Sequence, residues 1–329
     1  MPAELIVAIV LVIALIIYAI FGGTDYGVGV WVLFSHGKRG MLQRDVISRT
    51  ISPIWEANHV WLILINIVLF TAYPLAYGTI VKALFIPLSL VLIGIVMRGA
   101  AYTFKNYNDN KKEAREWAEL FGIASLVTPI LLGVNIGAIS SGKIIVENDI
   151  IVHGFIYSWL SPFSIAVGLF ALVLFAYLAA VSLILESHHS KDLQEDFRRR
   201  AMITLVLLAV MAAAVYITSI SDAHTANIKS FRGWALVLHL ILSVISIISF
   251  IVLYKRKYHL AKFLAYTQAT LILLGWAFTQ YPYIVREQFT IYNAGAPKSA
   301  LHFVIIALII AGCFLIPSFF YMYKVFRKI

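Results

Sequence analysis

Two stretches of this chain put chemically capable residues into apolar surroundings. Residues 21–34, FGGTDYGVGVWVLF, hold one carboxylate, Asp25, and residues 52–62, SPIWEANHVWL, hold another, Glu56. Each lies in an apolar run long enough to cross a bilayer. A charge there costs at least ~2.5 kcal/mol, so an ionisable residue at such a place marks a candidate functional site. A third, Arg98, sits in the apolar run 79–104. Around Asp25, Gly22 and Gly29 stand at i−3 and i+4, on the face that carries the carboxylate. They permit close helix approach or leave room for water. His59 stands at i+3 from Glu56, so an imidazole and a carboxylate share one helix face, a pairing suited to moving protons through a low-dielectric region. The same wheel sends Asn58 to the opposite side, flanked by Trp55 and Trp61.

The elements that position these groups follow from composition. Of 329 residues, 61% are hydrophobic and 13% charged, against roughly 25% charged in an ordinary soluble domain, and the mean hydropathy is +0.90. Apolar runs of helical length recur throughout, without the alternation of a β-barrel. The chain reads as an all-α membrane protein, one integral-membrane domain over 1–329. Nine apolar segments fall near 4–34, 52–75, 79–104, 118–141, 154–186, 201–221, 233–254, 260–284 and 301–324. Eight of them can form two four-helix bundles, with the ninth peripheral. Gly22-Gly23 and Pro162 are the places where the two longest segments can bend. The start, MPAELIVAIV, lacks a basic region and a small-residue cleavage site, so it reads as the first span rather than a signal peptide.

Lysine and arginine orient the bundle. With the N-terminus outside, the inner loops and the tail carry nineteen of the 26 basic residues, the outer loops six, and Arg98 is the remaining one. Basic residues accumulate on the cytoplasmic side, so the N-terminus reads as outside and the C-terminus as cytoplasmic. Their dispersal along one membrane face also excludes a nucleic-acid surface, despite the net charge of +10. On this orientation Asp25 lies ~14 Å, Arg98 ~10 Å and Glu56 ~6 Å from the cytoplasmic ends of their helices, at ~1.5 Å per residue. Three ionisable groups on three consecutive spans thus share the cytoplasmic part of the membrane.

Three readings of that cluster stand on the residues alone. One acid pairs with Arg98 and locks the helices together; the acids relay protons from the cytoplasm; or they bind the coupling ion of a proton-coupled secondary transporter. The last is weakened by their position toward one face rather than at the midplane. His59 and His239 read as hydrogen-bonded core histidines before metal or haem ligands. A lone cysteine, Cys313, excludes a disulfide framework. Tyr73, Tyr77, Trp159, Tyr281 and Tyr283 fall near outer boundaries, where interfacial anchoring is the default.

Taken together, TDYGVGVWVLF and PIWEANHVWL resemble the paired signature of the smaller core subunit (subunit II) of cytochrome bd-type quinol oxidases. The resemblance continues through MRGAAYTFK, LLGVNIGAISSG, LSPFSIAVGLFAL and YPYIVREQFTIYNAGA, and so spans the whole chain. It implies nine transmembrane helices in a bacterial or archaeal-type plasma membrane. It implies a heterodimer with a larger subunit carrying two haems b and one haem d, with no haem on this chain. A small single-helix subunit is a further candidate partner. Such a complex oxidises quinol and reduces oxygen to water, taking protons from the cytoplasm. By the same resemblance Asp25 and Glu56 are the relay acids, Arg98 balances their charge, and Trp55 and Asn58 occupy motif positions beside Glu56. Many relatives carry a second acid where this chain has Gly22; His59 is then a candidate replacement in the relay.

Overall fold

A computed structural model describes residues 1–37, 39–51, 55–107, 110–147, 150–221 and 229–326. The long helices are α1 (Ala3–Leu33), α3 (Trp55–Ala72), α5 (Phe85–Tyr107), α6 (Lys111–Ser140), α7 (Pro162–Glu186), α8 (Lys191–Ser221), α9 (Lys229–Tyr254), α10 (Tyr258–Gln280) and α11 (Lys298–Phe326). Two short helices join them, α2 (Gly40–Ile51) and α4 (Pro74–Ala83). Two small antiparallel ribbons cap the opposite end: β1 (Ile145–Glu147) with β2 (Ile150–His153), and β3 (Tyr283–Val285) with β4 (Phe289–Thr290). Among the described residues eight helices are long and apolar enough to cross a membrane, and the bent α3–α4 pair makes a ninth candidate.

Two sequence boundaries move. Residues 74–83, which the apolar pattern divides between the second and third segments, form α4, turned 119° from α3. Pro74 is the cause, since it has no N–H to give and its ring collides with the carbonyl four residues back; it occupies the first turn of α4 instead. The fifth span begins at Pro162, not at 154, because the Ser161 side chain accepts the Ser164 N–H as its N-cap. Finally, Gly22-Gly23 does not break α1, which runs as one helix from Ala3 to Leu33.

The two expected groups of four are present. Helices α7, α8, α9 and α10 close a ring, each touching the next. In the other group α3, α1, α6 and α5 lie side by side in that order. Helix α11 leans on α1 and α3. Helix α1 joins the groups, packing against α3, α6, α7 and α10. Small residues let it do so: a methyl added at Gly27 would lie 2.0 Å from the Phe175 carbonyl oxygen, and one at Gly29 would lie 2.1 Å from Ser125 Oγ. Trp31 Nε1 then donates to the Ala176 carbonyl at 3.0 Å, a bond between α1 and α7.

The two ends of the bundle differ. At the end where α1 finishes, charges are laced together. Arg39 meets Asp196 at 3.0 Å, and Arg200 donates to the Phe34 carbonyl and to Gln43 Oε1. Glu195 gathers Arg198, Arg199 and Arg256. At the other end the links run through backbone and neutral groups: Tyr73 donates to the Glu4 carbonyl, and the Ala296 N–H to that of Ala72. Tyr73 is fully buried there, so it is a structural pin rather than the interfacial anchor its position suggested.

Gly27→Ala should lower the thermal stability of the purified protein by about 2–4 kcal/mol or prevent its accumulation, because the obstacle is backbone that cannot swing aside. Gly78→Ala, in a helical position with open space, should be neutral or stabilising by up to ~1 kcal/mol. Thermal unfolding followed by fluorescence-detected size exclusion checks both.

Candidate functional site

The site is built where α1, α3, α5 and α6 meet. Arg98, on α5, is 1% exposed and is the largest fully enclosed side chain. Its Nη2 donates to the Asp25 main-chain carbonyl at 2.8 Å, and its Nε to Ser125 Oγ on α6 at 3.0 Å. The guanidinium also lies over two rings, Tyr26 at 4.6 Å and Phe121 at 5.1 Å. Cation–π contact of this kind strengthens as water is removed. One cation thus ties three helices.

The Asp25 carboxylate is held from the other side. Asn58 Nδ2, on α3, donates to Asp25 Oδ2. Asn58 is 4% exposed, whereas Asp25 keeps some accessible surface in the isolated chain. A carboxylate bonded by a neutral amide, and not clamped by a guanidinium, retains an oxygen that can accept a proton. Among the described residues Arg98 reaches Asp25 through its backbone rather than as an ion pair with its carboxylate. Of the two acids considered as locking partners from sequence, Asp25 thus has the positive charge near, but not bonded to, its carboxylate, and the Glu56 side chain lies outside the described residues.

Asn58 is also a correction. A wheel centred on Glu56 sent it away from the site, but α3 turns a different stripe toward α1. Asn58, Val68 and Ala72 are its buried residues, and that stripe includes the amide. His59, next to it, also faces α1: its ring centroid lies 6.2 Å from Tyr18 and 6.1 Å from Tyr26. The Tyr18 hydroxyl points to that of Tyr26 at 3.4 Å. The side chains of Glu56 and Trp55 lie outside the described residues, although α3 begins at Trp55.

Sequence reasoning missed Ser125, Tyr18 and Tyr26. Tyr18 had a signal, since 18, 22, 25 and 29 form one stripe of α1. Its ring also explains Gly22, where an added methyl would strike Tyr18 Cε2 at 2.8 Å. Gly22 therefore makes room for this chain's own tyrosine, while Gly29 admits α6. Ser125 had none, because serines in apolar helices commonly bond back to their own helix.

An all-helical multi-pass membrane fold around one acid–amide–arginine junction defines a class: a membrane subunit built about an internal protonatable group. The family model for cytochrome bd terminal oxidase subunit II matches residues 3–326, and the chain belongs to that family. It is 27% identical over 316 residues to the Bacillus subtilis (strain 168) cytochrome bd ubiquinol oxidase subunit 2, covering 93% of this chain and 90% of that one. A second Bacillus subtilis protein, a putative cytochrome bd menaquinol oxidase subunit II, is 22% identical over 326 residues, with 95% and 92% covered. A chain in the structure of bd oxidase from Geobacillus thermodenitrificans superposes with a TM-score of 0.82 at 23% identity over 99% of both chains. The family resemblance read from the motifs is borne out. The protein is a multi-pass subunit of a bacterial terminal respiratory oxidase, an oxidoreductase complex that includes a partner subunit, and the transporter reading is not favoured.

Ser125→Ala should cost about 1–3 kcal/mol in thermal stability, because it strips an acceptor from an enclosed guanidinium. Ser318→Ala, a change on exposed α11 where the hydroxyl only bonds its own helix, should cost under ~0.5 kcal/mol. The two melting curves, measured side by side, check this.

Proposed function

We propose that this chain, as one membrane domain over 1–329 with its C-terminus in the cytoplasm of a plasma membrane, brings cytoplasmic protons to the oxygen-reducing centre of a quinol oxidase. The names of its relatives support quinol as the reductant of that complex. The partner would be a larger subunit holding two haems b and one haem d, which supply the electron transfer and oxygen reduction. The observation that carries the proposal is Asp25 itself: a carboxylate inside the bundle, bonded by the Asn58 amide and overlooked by Arg98 without an ion pair between them.

The mechanism follows from those contacts. A proton arriving from the side where α1 ends reaches an Asp25 oxygen. The Asn58 N–H holds the other oxygen, which keeps the carboxylate oriented while its charge changes. Arg98 cannot surrender a proton under physiological conditions, so it acts as a fixed positive charge that favours the ionised acid after the proton leaves. Its bonds to the Asp25 carbonyl and to Ser125 keep that charge in place through the cycle. Glu56, one helical turn from His59 on α3, is the entry acid in this reading. His59, between Tyr18 and Tyr26 and partly accessible, is the group through which the path leaves toward the partner.

Support for the orientation comes from the lacing of basic and acidic residues at the end where α1 finishes. The loops that carry most lysine and arginine meet on that face, as a cytoplasmic face requires.

Asp25→Asn in the assembled complex should lower quinol-driven oxygen consumption at least tenfold, with haem absorbance and subunit ratio unchanged. Glu56→Gln should act in the same direction, and His59→Phe should slow turnover severalfold. Full oxygen consumption in the Asp25→Asn, Glu56→Gln double variant would remove both acids from the path. Loss of assembly in either single variant, with no slowing in complexes that do form, would instead support a scaffold role.

A further inference from the structure

We propose that Phe175, on α7 in the second helix group, is a positioning residue for the acid site of the first. Its ring backs Tyr26, and Tyr26 in turn fixes the Arg98 guanidinium beside Asp25. The consequence for proton uptake rests on Asp25 acting as a relay acid; the positioning itself does not.

Hydrogen bonds fix only part of the guanidinium. Its bonds to the Asp25 carbonyl at 2.8 Å and to Ser125 Oγ at 3.0 Å run along N–H directions, within the plane of the group. They leave it free to ride across that plane. Movement in that direction is limited by the two rings it lies over, and Tyr26, at 4.6 Å, is the nearer. Where the Tyr26 ring stands therefore decides how far the positive charge stands from the carboxylate of the residue before it. Among the described residues the other titratable groups at this junction are His59 on α3 and Tyr18 on α1, while α6 brings the neutral Ser125 and Phe121.

Tyr26 is fully enclosed, and three neighbours hold its ring. Phe175 stacks on it nearly parallel, with 15° between the planes and 6.4 Å between centroids. The His59 ring meets it edge-on at 6.1 Å, and the Tyr18 hydroxyl donates to its own at 3.4 Å. His59 is partly accessible and the Tyr18 bond is long, so Phe175, 7% exposed, is the firm support. Glycines of α1 admit it. A methyl added at Gly23 would lie 2.5 Å from Phe175 Cδ1, and one at Gly27 would meet the Phe175 carbonyl. Gly23, Tyr26 and Gly27 share one face of α1. Together they seat a ring of α7 directly behind the acid site, which gives Gly23 a purpose in a helix that it does not bend. A leucine at 175 would fill much of the same volume without a flat face, and the Tyr26 ring could then turn.

The assembled complex carrying F175L tests this. In a cryo-EM map of the variant the Arg98 guanidinium should lie beyond ~6 Å from the Tyr26 ring centre, outside cation–π reach. The alkaline limb of its quinol-driven oxygen consumption should move at least ~0.5 pH unit higher, since a cation held further off favours the ionised acid less. Y26L should give the same shift, and Y26F, which keeps the ring, less than half of it. F175L/Y26L should shift the limb no further than Y26L alone, as residues acting in series do. F163L removes another buried ring of α7 that does not stack at the site; it should lower the melting temperature and leave the limb in place. An unmoved guanidinium in F175L, or a limb shift no larger than that of F163L, overturns the positioning. Full oxygen consumption in Asp25→Asn would instead remove the relay acid, and the map alone would then decide whether Phe175 positions Arg98. If F175L does not assemble, F175M, read in the same way, decides.

Discussion

A guanidinium removed from water inside an apolar bundle is costly without partners, and the contacts of Arg98 set the arrangement of the first helix group. Its Nη2 takes a carbonyl of α1, its Nε a hydroxyl of α6, and its faces take the rings of Tyr26 and Phe121. These contacts hold the positive charge beside Asp25 without bonding its carboxylate. Direct pairing with the carboxylate would have favoured the ionised acid more strongly and made proton uptake costlier.

That condition needs the helices closer than large side chains allow. Gly27 against Phe175 and Gly29 against Ser125 supply the approach. In a membrane there is little hydrophobic force between helices, so contact at small residues and interhelical hydrogen bonds must hold them. Trp31 to Ala176, Gln268 to Ser246 and Trp276 to Ser140 are such bonds. The junction at Asp25 is thus part of the packing and cannot shift without it.

The face where α1 ends has a different chemistry, and the difference follows from solvent. There the chain laces acids and bases across α2, α8 and the α9–α10 turn, which water and salt tolerate. The opposite face uses two short ribbons and backbone links.

Much was legible in the residues. Hydropathy determined a polytopic helical membrane protein; the rarity of charge in its spans picked out Asp25, Glu56 and Arg98; and the motif blocks pointed to the family. What tertiary structure decided was who touches whom. Asn58 bonds Asp25 because α3 presents its 58–68–72 stripe to α1, and a helical wheel shows which residues share a stripe but not which stripe faces a neighbour. Arg98 takes the backbone of Asp25, Ser125 and two rings, partners that spacing along one chain does not reveal because they come from different helices. Pro74 ended α3 and turned the next residues aside, a local effect whose consequence for the span boundary depends on what α4 packs against. Composition and periodicity are properties of single segments, and they carry through to the fold unchanged; contacts are properties of pairs of segments, and only their mutual rotation and distance bring them into being.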